Sequence, residues 1–206
     1  MITPLLLAQF SNAIYSQSTG WDDYWTLDDV VVARKRVDDT DVIVHRGSAV
    51  GSDWVKNFTA YPKWHSQLGY CHAGFLSGMD EVFSEVRVAV GANVAITGHS
   101  LGGARARILA GLFAYNKIPV DLLTVFGAPK PGFINLARII QKSGIVHTSF
   151  RNRNDVVPTL ALSIAPFLEF VHTEDWQVLN AAPASDNLEP LRDHSIDLYI
   201  KALSVA

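Results

Sequence analysis

The chain contains 206 residues, of which 49% are hydrophobic and 18% are charged. This balance predicts a globular protein with a sizeable core and excludes an intrinsically disordered chain. The formal net charge is -3, from 17 basic and 20 acidic residues, which excludes the strongly basic surface typical of nucleic-acid-binding domains.

Cysteine content and hydropathy exclude further classes of protein. The single cysteine, Cys71, excludes an internal disulfide and has no partners for a zinc cluster, so it is predicted to be a small buried side chain. No apolar run is long enough to cross a membrane. The apolar residues 5–8 have no basic residue before them and do not resemble a secretory signal. We therefore expect a cytoplasmic protein, or one released without a standard signal.

The first third of the chain predicts a helix followed by a β-hairpin. Thr3 and Pro4 are typical of a helix start. Two β-branched runs, Val30–Val37 and residues 41–45, predict the hairpin. Its second strand leads to Ser48, which is either an oxyanion-binding residue or an ordinary turn serine. A short segment begins at Asp53 and is either a lid or a docked turn.

The central third contains the sequence that the rest of the chain is organised around. Residues 93–97 predict a buried strand, and an apolar stripe after residue 101 predicts a helix. Between them lies Gly98-His99-Ser100-Leu101-Gly102. A strand that turns directly into a helix strains the backbone of the turning residue and exposes its side chain, and a Cβ at either glycine would collide with the neighbouring element. Ser100 is therefore a candidate nucleophile at a helix N-terminus.

Alternating strands and helices predict the fold class. Strands are expected near residues 42, 94, 122 and 146, and helices near residues 80, 101 and 133. This alternation predicts parallel strands joined by helical crossovers, in one domain spanning residues 1–206. Functional residues gather at the carboxyl ends of such strands. The apolar residues 161–171, interrupted by Pro166, are expected to form a loop packed on the core.

A nucleophilic serine requires a base and a residue that orients it. Asp155 is the acid of the loop after the last predicted strand, although an aspartate there also suits an Asx turn. His194 lies at the start of the final helix, and His172 is its main rival as the base. Five other histidines lie in predicted strands or precede the serine, namely His45, His65, His72, His99 and His147. Of these, His99 is next to Ser100, and its side chain should be directed away from the site. The order Ser100, Asp155, His194 is the chain order of the α/β-hydrolase triad.

Seven short motifs, in order, resemble the class 3 lipases, the family of the filamentous-fungal triacylglycerol lipases. They cover the chain from about residue 5 to its end and are Arg46-Gly47-Ser48 with Asp53-Trp54, residues 72–77, residues 97–103, Phe126-Gly127-Ala128-Pro129, residues 154–158, residues 172–176 and Asp193-His194.

The resemblance implies an α/β-hydrolase fold, with a mostly parallel central sheet flanked by helices. It implies Ser100 as nucleophile, His194 as base and Asp155 as its orienting acid. The oxyanion would be held by the backbone N–H groups of Ser48 and Leu101, with help from the Ser48 hydroxyl. The lid would span residues 49–58, and His172 would be a neighbour of the site.

The expected function is hydrolysis of lipid or other hydrophobic carboxylic esters through an acyl-enzyme, with no metal or organic cofactor. Contact with a lipid surface would be transient. The chain departs from the secreted fungal enzymes in several ways. It is shorter, it lacks their disulfides and a clear signal, and serine replaces the more usual threonine after Arg46-Gly47. Its lid segment is short and only partly apolar. Two alternatives stay open, namely an esterase acting on soluble or cell-wall esters (feruloyl or acetyl) and a catalytically silent lipase-like binding domain.

Overall fold

The computed structural model describes residues 1–16, 20–48, 61–159, 163–165, 168–181 and 191–205. In these ranges the helices are α1 (Pro4–Ala13), α2 (Ala73–Leu76), α3 (Met79–Ala89), α4 (Leu101–Tyr115), α5 (Ile134–Lys142) and α6 (Ile196–Leu203). The strands are β1 (Asp23–Leu27), β2 (Val30–Val37), β3 (Thr40–His45), β4 (Pro62–His65), β5 (Gly69–His72), β6 (Asn93–His99), β7 (Leu122–Phe126), β8 (Val146–Asn152), β9 (Ser163–Ala165), β10 (Leu168–Glu169) and β11 (Trp176–Leu179). Short 3₁₀ turns lie at Ile14–Ser16, Val157–Thr159 and Arg192–His194.

A seven-stranded sheet forms the centre of the fold, in the order β1-β2-β3-β6-β7-β8-β11. The strands β1, β2 and β3 are antiparallel neighbours, whereas β3, β6, β7, β8 and β11 run parallel. The predicted hairpin and the predicted parallel strands are therefore confirmed.

Some strands were not predicted from the sequence. Both edge strands, β1 and β11, belong to this group, as does the separate β4–β5 hairpin. Edge strands are half-exposed and lack the apolar runs that mark buried strands, and β11 indeed has exposed residues at its centre. The loop expected over residues 161–171 is wrong in part, because β9 and β10 pair there as a small antiparallel ribbon.

The core lies on both faces of the sheet. Along β3, Val42 and Val44 belong to one buried cluster and Ile43 to the other, because successive side chains of a strand point to opposite faces. The first cluster includes Leu7, Tyr199 and other side chains of α1 and α6. The second includes the helices α2 to α5. Helices therefore cover both faces, as in an α/β-hydrolase fold.

Helix α4 differs from the amphipathic helix that the sequence predicted. Every residue from 102 to 113 is buried, including Arg105 and Arg107, whereas Tyr115 at the end of the helix is 50% exposed. The helix contacts α2, α3 and α5 as well as the sheet, so it has no solvent face along most of its length. None of the helices in the described ranges is long and apolar enough to cross a membrane.

The register of the sheet brings the candidate residues to one edge. His45 of β3 pairs with Gly98 of β6, and His99 of β6 pairs with Phe126 of β7. Phe126 in turn pairs with Phe150 of β8. The segments that leave these strands therefore start side by side.

Candidate active site

Ser100 lies at the junction between β6 and α4. Its backbone has φ 59° and ψ −129°, a conformation that costs a residue other than glycine about 1–3 kcal/mol. The Ser100 N–H donates to the Phe126 carbonyl at 2.9 Å, which holds the turn against β7. The strained turn that the sequence predicted at Ser100 is confirmed.

Glycines allow this turn to form. A Cβ on Gly98 would lie 2.5 Å from the Gly102 backbone, and a Cβ on Gly102 would lie 2.2 Å from the His45 carbonyl oxygen. Both distances are far below ordinary contact, so neither position can accept a side chain without moving the backbone. The predicted reason for the two glycines is confirmed.

The two candidate oxyanion donors lie on neighbouring segments. Leu101 is the first residue of α4, where backbone N–H groups have no intrahelical partner and the helix dipole is positive. Ser48 is half-buried and follows Gly47, whose nitrogen would lie 2.9 Å from a Cβ on Gly102. The start of α4 therefore packs against residues 45–47, which lead into Ser48. The predicted lid, residues 49–58, lies outside the described residues.

Asp155 is fully buried in the loop after β8. One carboxylate oxygen accepts the Val157 N–H at 2.9 Å, and the other accepts His194 Nδ1–H at 2.8 Å and the Tyr199 hydroxyl. Burial alone would raise the pKa of this carboxyl. The hydrogen bond and charge of His194, with the bonds from Tyr199 and Val157, outweigh burial and hold the pKa of Asp155 below its usual range.

His194 ends the 3₁₀ turn before α6 and is brought to Asp155 from a distant part of the chain. Because the carboxylate accepts at Nδ1, that nitrogen carries the proton and a neutral ring has its lone pair at Nε2. His194 Nε2 is buried and has no hydrogen-bond partner among the described residues. The ring therefore has the tautomer of a general base, with the reactive nitrogen unpaired.

The remaining link, between Ser100 and His194, is indirect in the described residues. No hydrogen bond joins the Ser100 hydroxyl to the His194 ring. The two residues are connected through His99, the neighbour of Ser100, whose ring centroid lies 4.6 Å from that of His194. The hydrogen bond between a nucleophile and its base is often long without substrate and tightens in the reacting complex. The expectation that His99 is directed away from the site is wrong, because its ring packs on His194.

The rival histidine, His172, has other partners. Its Nε2–H donates to the Pro158 carbonyl at 2.7 Å, and its Nδ1 lies 3.4 Å from Arg107. Arg107 also donates to the Pro129 carbonyl and to Ser149. His172 is thus a half-buried link between α4 and the loop that follows Asp155.

The chain also matches a family of known proteins. Residues 42–164 match the model of the family described as lipase (class 3), which is more than half of the chain. The chain belongs to the class 3 lipase family.

Individual class 3 lipases agree with this assignment. The "Secreted mono- and diacylglycerol lipase 1" of Fusarium solani is 30% identical over 158 residues, which cover 72% of this chain and 45% of that protein. A lipase of Rhizomucor miehei is 31% identical over 153 residues, which cover 67% of this chain and 42% of that protein. This chain therefore matches less than half the length of each relative.

The fold of this member of the class 3 lipase family is shared with solved structures. The Rhizomucor miehei lipase propeptide complex superposes with a TM-score of 0.68 at 25% identity, over 85% of this chain and 66% of that chain. A second structure of the Rhizomucor miehei triacylglyceride lipase gives a TM-score of 0.69 at 24% identity, over 86% and 77%. The expected α/β-hydrolase fold is confirmed.

One polar residue of the candidate site was not predicted from the sequence. Tyr199 lies on the last helix, and its hydroxyl donates to Asp155. Burial, followed by the nearby Asp155 charge, raises the pKa of Tyr199 well above its ordinary value, so it stays a donor. A tyrosine on an otherwise aliphatic helix face was the available signal, because a buried hydroxyl requires a partner.

Side chains that could bind a cation are dispersed in the part of the chain that the structure describes. No cluster of three or more histidine, cysteine, aspartate or glutamate residues with metal-binding geometry occurs within the described ranges. Cys71 is fully buried, as predicted, and burial raises the pKa of its thiol to about 12.

Gly127, which follows β7, provides the first test of the site. Its φ is +56°, and an added Cβ would lie 2.7 Å from Asp155 Oδ2 and 2.9 Å from His194 Nδ1. We expect Gly127→Ala to push the acid and the histidine apart and to lower kcat about 100-fold. Gly144→Ala is the matched control, because Gly144 has φ +82° and no atom within 4 Å of an added Cβ. It should lose about 1–2 kcal/mol of stability and keep its kcat; equal losses of kcat would contradict the prediction.

Buried neutral histidines predict how stability depends on pH. Burial lowers the pKa of each of three histidines, His45, His99 and His172, to about 3. Their ordinary value is about 6.5, so below pH 6.5 the unfolded chain binds protons that the folded chain does not. The free energy of unfolding should therefore fall as the pH decreases from 6.5 towards 4.

Urea unfolding across this pH range measures the effect. The ring nitrogens of His45 have no hydrogen-bond partner among the described residues, so His45→Leu removes one titrating group without breaking a bond. The slope of the unfolding free energy with pH is proportional to the difference in protons bound by the unfolded and folded chains. In this variant the slope should decrease by the contribution of about one proton. An unchanged slope would show that His45 titrates alike in the folded and unfolded chains.

Proposed function

We propose that this class 3 lipase is a serine hydrolase of carboxylic esters, with Ser100 as nucleophile, His194 as base and Asp155 as the orienting acid. The observation that carries the proposal is the 2.8 Å hydrogen bond from His194 Nδ1 to the buried Asp155 carboxylate, beside a strained serine at a helix N-terminus. Nucleophile, base and orienting acid are the groups that acyl transfer requires. We assign this activity to one domain, residues 1–206.

In the first half of the proposed reaction, His194 Nε2 takes the Ser100 hydroxyl proton while Oγ attacks the ester carbonyl carbon. The carbonyl oxygen becomes an oxyanion, which the N–H groups of Ser48 and Leu101 and the Ser48 hydroxyl stabilise. One such donor is typically worth about 3 kcal/mol. The C–O bond to the alcohol then breaks, His194 returns its proton to the leaving oxygen, and the acyl group stays on Ser100.

In the second half, His194 takes a proton from water as the water oxygen attacks the acyl carbon. The new tetrahedral intermediate collapses, the acid leaves, and the proton returns to Ser100 Oγ. Asp155 stays ionised throughout and stabilises the charged imidazole, which its depressed pKa supports. No metal or organic cofactor takes part in these steps.

Lipid or other hydrophobic esters are the proposed substrates. The names of the relatives support this class, since one is a mono- and diacylglycerol lipase and the other a lipase. Hydrolysis of such substrates involves transient contact with a lipid surface. Of the two compartments that the sequence leaves open, we propose release from the cell, which the name of the secreted Fusarium relative supports.

The test is the initial rate with p-nitrophenyl esters from acetyl to palmitoyl, with and without emulsified triglyceride, and with Ser100→Ala as the control. The proposal expects the highest rates with medium or long acyl chains. A maximum at acetyl or butyryl would replace the lipid substrate with a soluble or cell-wall ester. A rate no higher than that of Ser100→Ala would reject the enzyme in favour of a silent binding domain.

A further inference from the structure

A chain of hydrogen bonds joins the N-terminal turn to the segment that carries His194. The Tyr15 hydroxyl lies 3.1 Å from His99 Nδ1, and His99 Nε2 lies 2.8 Å from the His194 carbonyl oxygen. The Gly47 N–H also interacts with the Tyr15 hydroxyl. Three segments of the proposed site thus converge on two side chains that the proposed reaction does not use.

Hydrogen-bonding rules fix the direction of each bond. The His194 carbonyl can only accept, so His99 Nε2 carries a proton and donates it. A neutral imidazole then has a lone pair at Nδ1, and the Tyr15 hydroxyl must donate to it. Burial lowers the pKa of His99 to about 3, so the ring keeps this neutral form at neutral pH.

Close packing holds the chain in place. A Cβ on Gly47 would lie 2.0 Å from the Tyr15 hydroxyl oxygen and 2.8 Å from the His99 carbonyl oxygen. The His99 ring is 6% exposed and packs against the rings of Tyr15, His194 and Tyr199. Gly47 therefore leaves the space that the hydroxyl fills between β3 and β6.

We infer that Tyr15 and His99 are positioning residues that hold the backbone of His194, while Asp155 holds its ring. His194 ends a single 3₁₀ turn and precedes α6, so these two attachments fix its Nε2 relative to Ser100. The same hydroxyl contacts Gly47, next to the proposed oxyanion donor Ser48. This inference rests on the proposed function, because it assigns Tyr15 and His99 to the placement of that base.

Steady-state kinetics of Tyr15→Phe and His99→Met test the inference. Both variants should lower kcat about 10-fold and leave KM unchanged, because a displaced base slows the chemical step without altering substrate contacts. His99→Gln should recover most of the lost kcat, since its side-chain amide can donate to the His194 carbonyl. If His99→Met does not fold, Tyr15→Phe, which removes one oxygen atom, decides the question.

Ser11→Ala is the matched control. The Ser11 hydroxyl forms a buried hydrogen bond with Thr97 at 3.3 Å, so this variant breaks another contact between the N-terminal helix and β6. It should lower the melting temperature and keep kcat. A kcat unchanged in Tyr15→Phe, or a His99→Gln variant as slow as His99→Met, would overturn the inference.

A second readout separates this inference from the proposed function. Nitrogen-15 NMR of histidine-labelled protein reports the tautomer of His99 whether or not the protein hydrolyses esters. We expect the Nε2–H form in the unaltered protein, and a shifted Nδ1 resonance in Tyr15→Phe because its donor is lost. The Nδ1–H form would contradict the chain of hydrogen bonds, whereas the expected spectrum with no hydrolysis would reject only the function.

Discussion

Replacing Ser100 with alanine is expected to lower kcat for ester hydrolysis about a millionfold, the scale measured when a serine hydrolase loses its nucleophile. Reaction with a fluorophosphonate probe should disappear as well, because the probe bonds to the activated oxygen. The fold should not change, since the substitution removes one atom and the Ser100 N–H, which donates to the Phe126 carbonyl, belongs to the backbone. Labelling that survives in Ser100→Ala would remove Ser100 from its role.

Ser100→Gly separates chemistry from backbone strain. Alanine at φ 59° and ψ −129° keeps the strain of the native serine, whereas glycine adopts this conformation readily. Relief of about 1–3 kcal/mol is partly offset by the greater freedom of glycine in the unfolded chain. Chemical unfolding should find Ser100→Gly about 1 kcal/mol more stable than Ser100→Ala, with both inactive. Equal stability would mean that the turn stores no strain at Ser100.

Asp155→Asn is expected to lower kcat about 10⁴-fold, as in serine proteases with the same substitution. Asp155 accepts three donors, from Val157, His194 and Tyr199, and the amide offers one acceptor oxygen and an NH₂ group. If the NH₂ group donates to His194 Nδ1, the ring proton moves to Nε2. The ring can then no longer take a proton from Ser100.

Two neighbouring variants calibrate this loss. Asp193→Asn neutralises an acid next to His194 whose carboxylate accepts the Asn154 N–H at 3.1 Å, and it should keep kcat. Tyr199→Phe removes one donor from Asp155 but keeps the carboxylate, so we expect a loss of about 10-fold. The assignment of Asp155 as the orienting acid would fail if Asp155→Asn and Asp193→Asn had the same kcat.

The fold was predicted from patterns that local residues determine. Buried strands such as β6 and β7 are continuous apolar runs, and the glycines at residues 98 and 102 mark the turn between β6 and α4. The pairing of Asp155 with His194 was predicted from chain order and loop position. The hydrogen bond between them is a long-range contact that only the assembled sheet and α6 create.

The positions that the sequence did not reveal share a physical cause. The bond of Tyr199 to Asp155, and those of Tyr15 and His99, depend on residues 44 to 95 positions apart in the chain. No local periodicity reports such contacts. The burial of α4 on all sides likewise depends on helices that precede it and a helix that follows it in the sequence. Its sequence predicts an amphipathic helix because it contains two arginines, both of which are buried.

The reactivity of the Cys71 thiol can report local opening of the protein. It is the one cysteine of the chain, it is fully buried, and its strand is bridged to Gly132, which is bridged in turn to Val171. A thiol reagent can therefore react only after a motion at this junction exposes the thiol. The labelling rate, followed by mass spectrometry without any added tag, would measure how often that junction opens and whether an acylated Ser100 slows it.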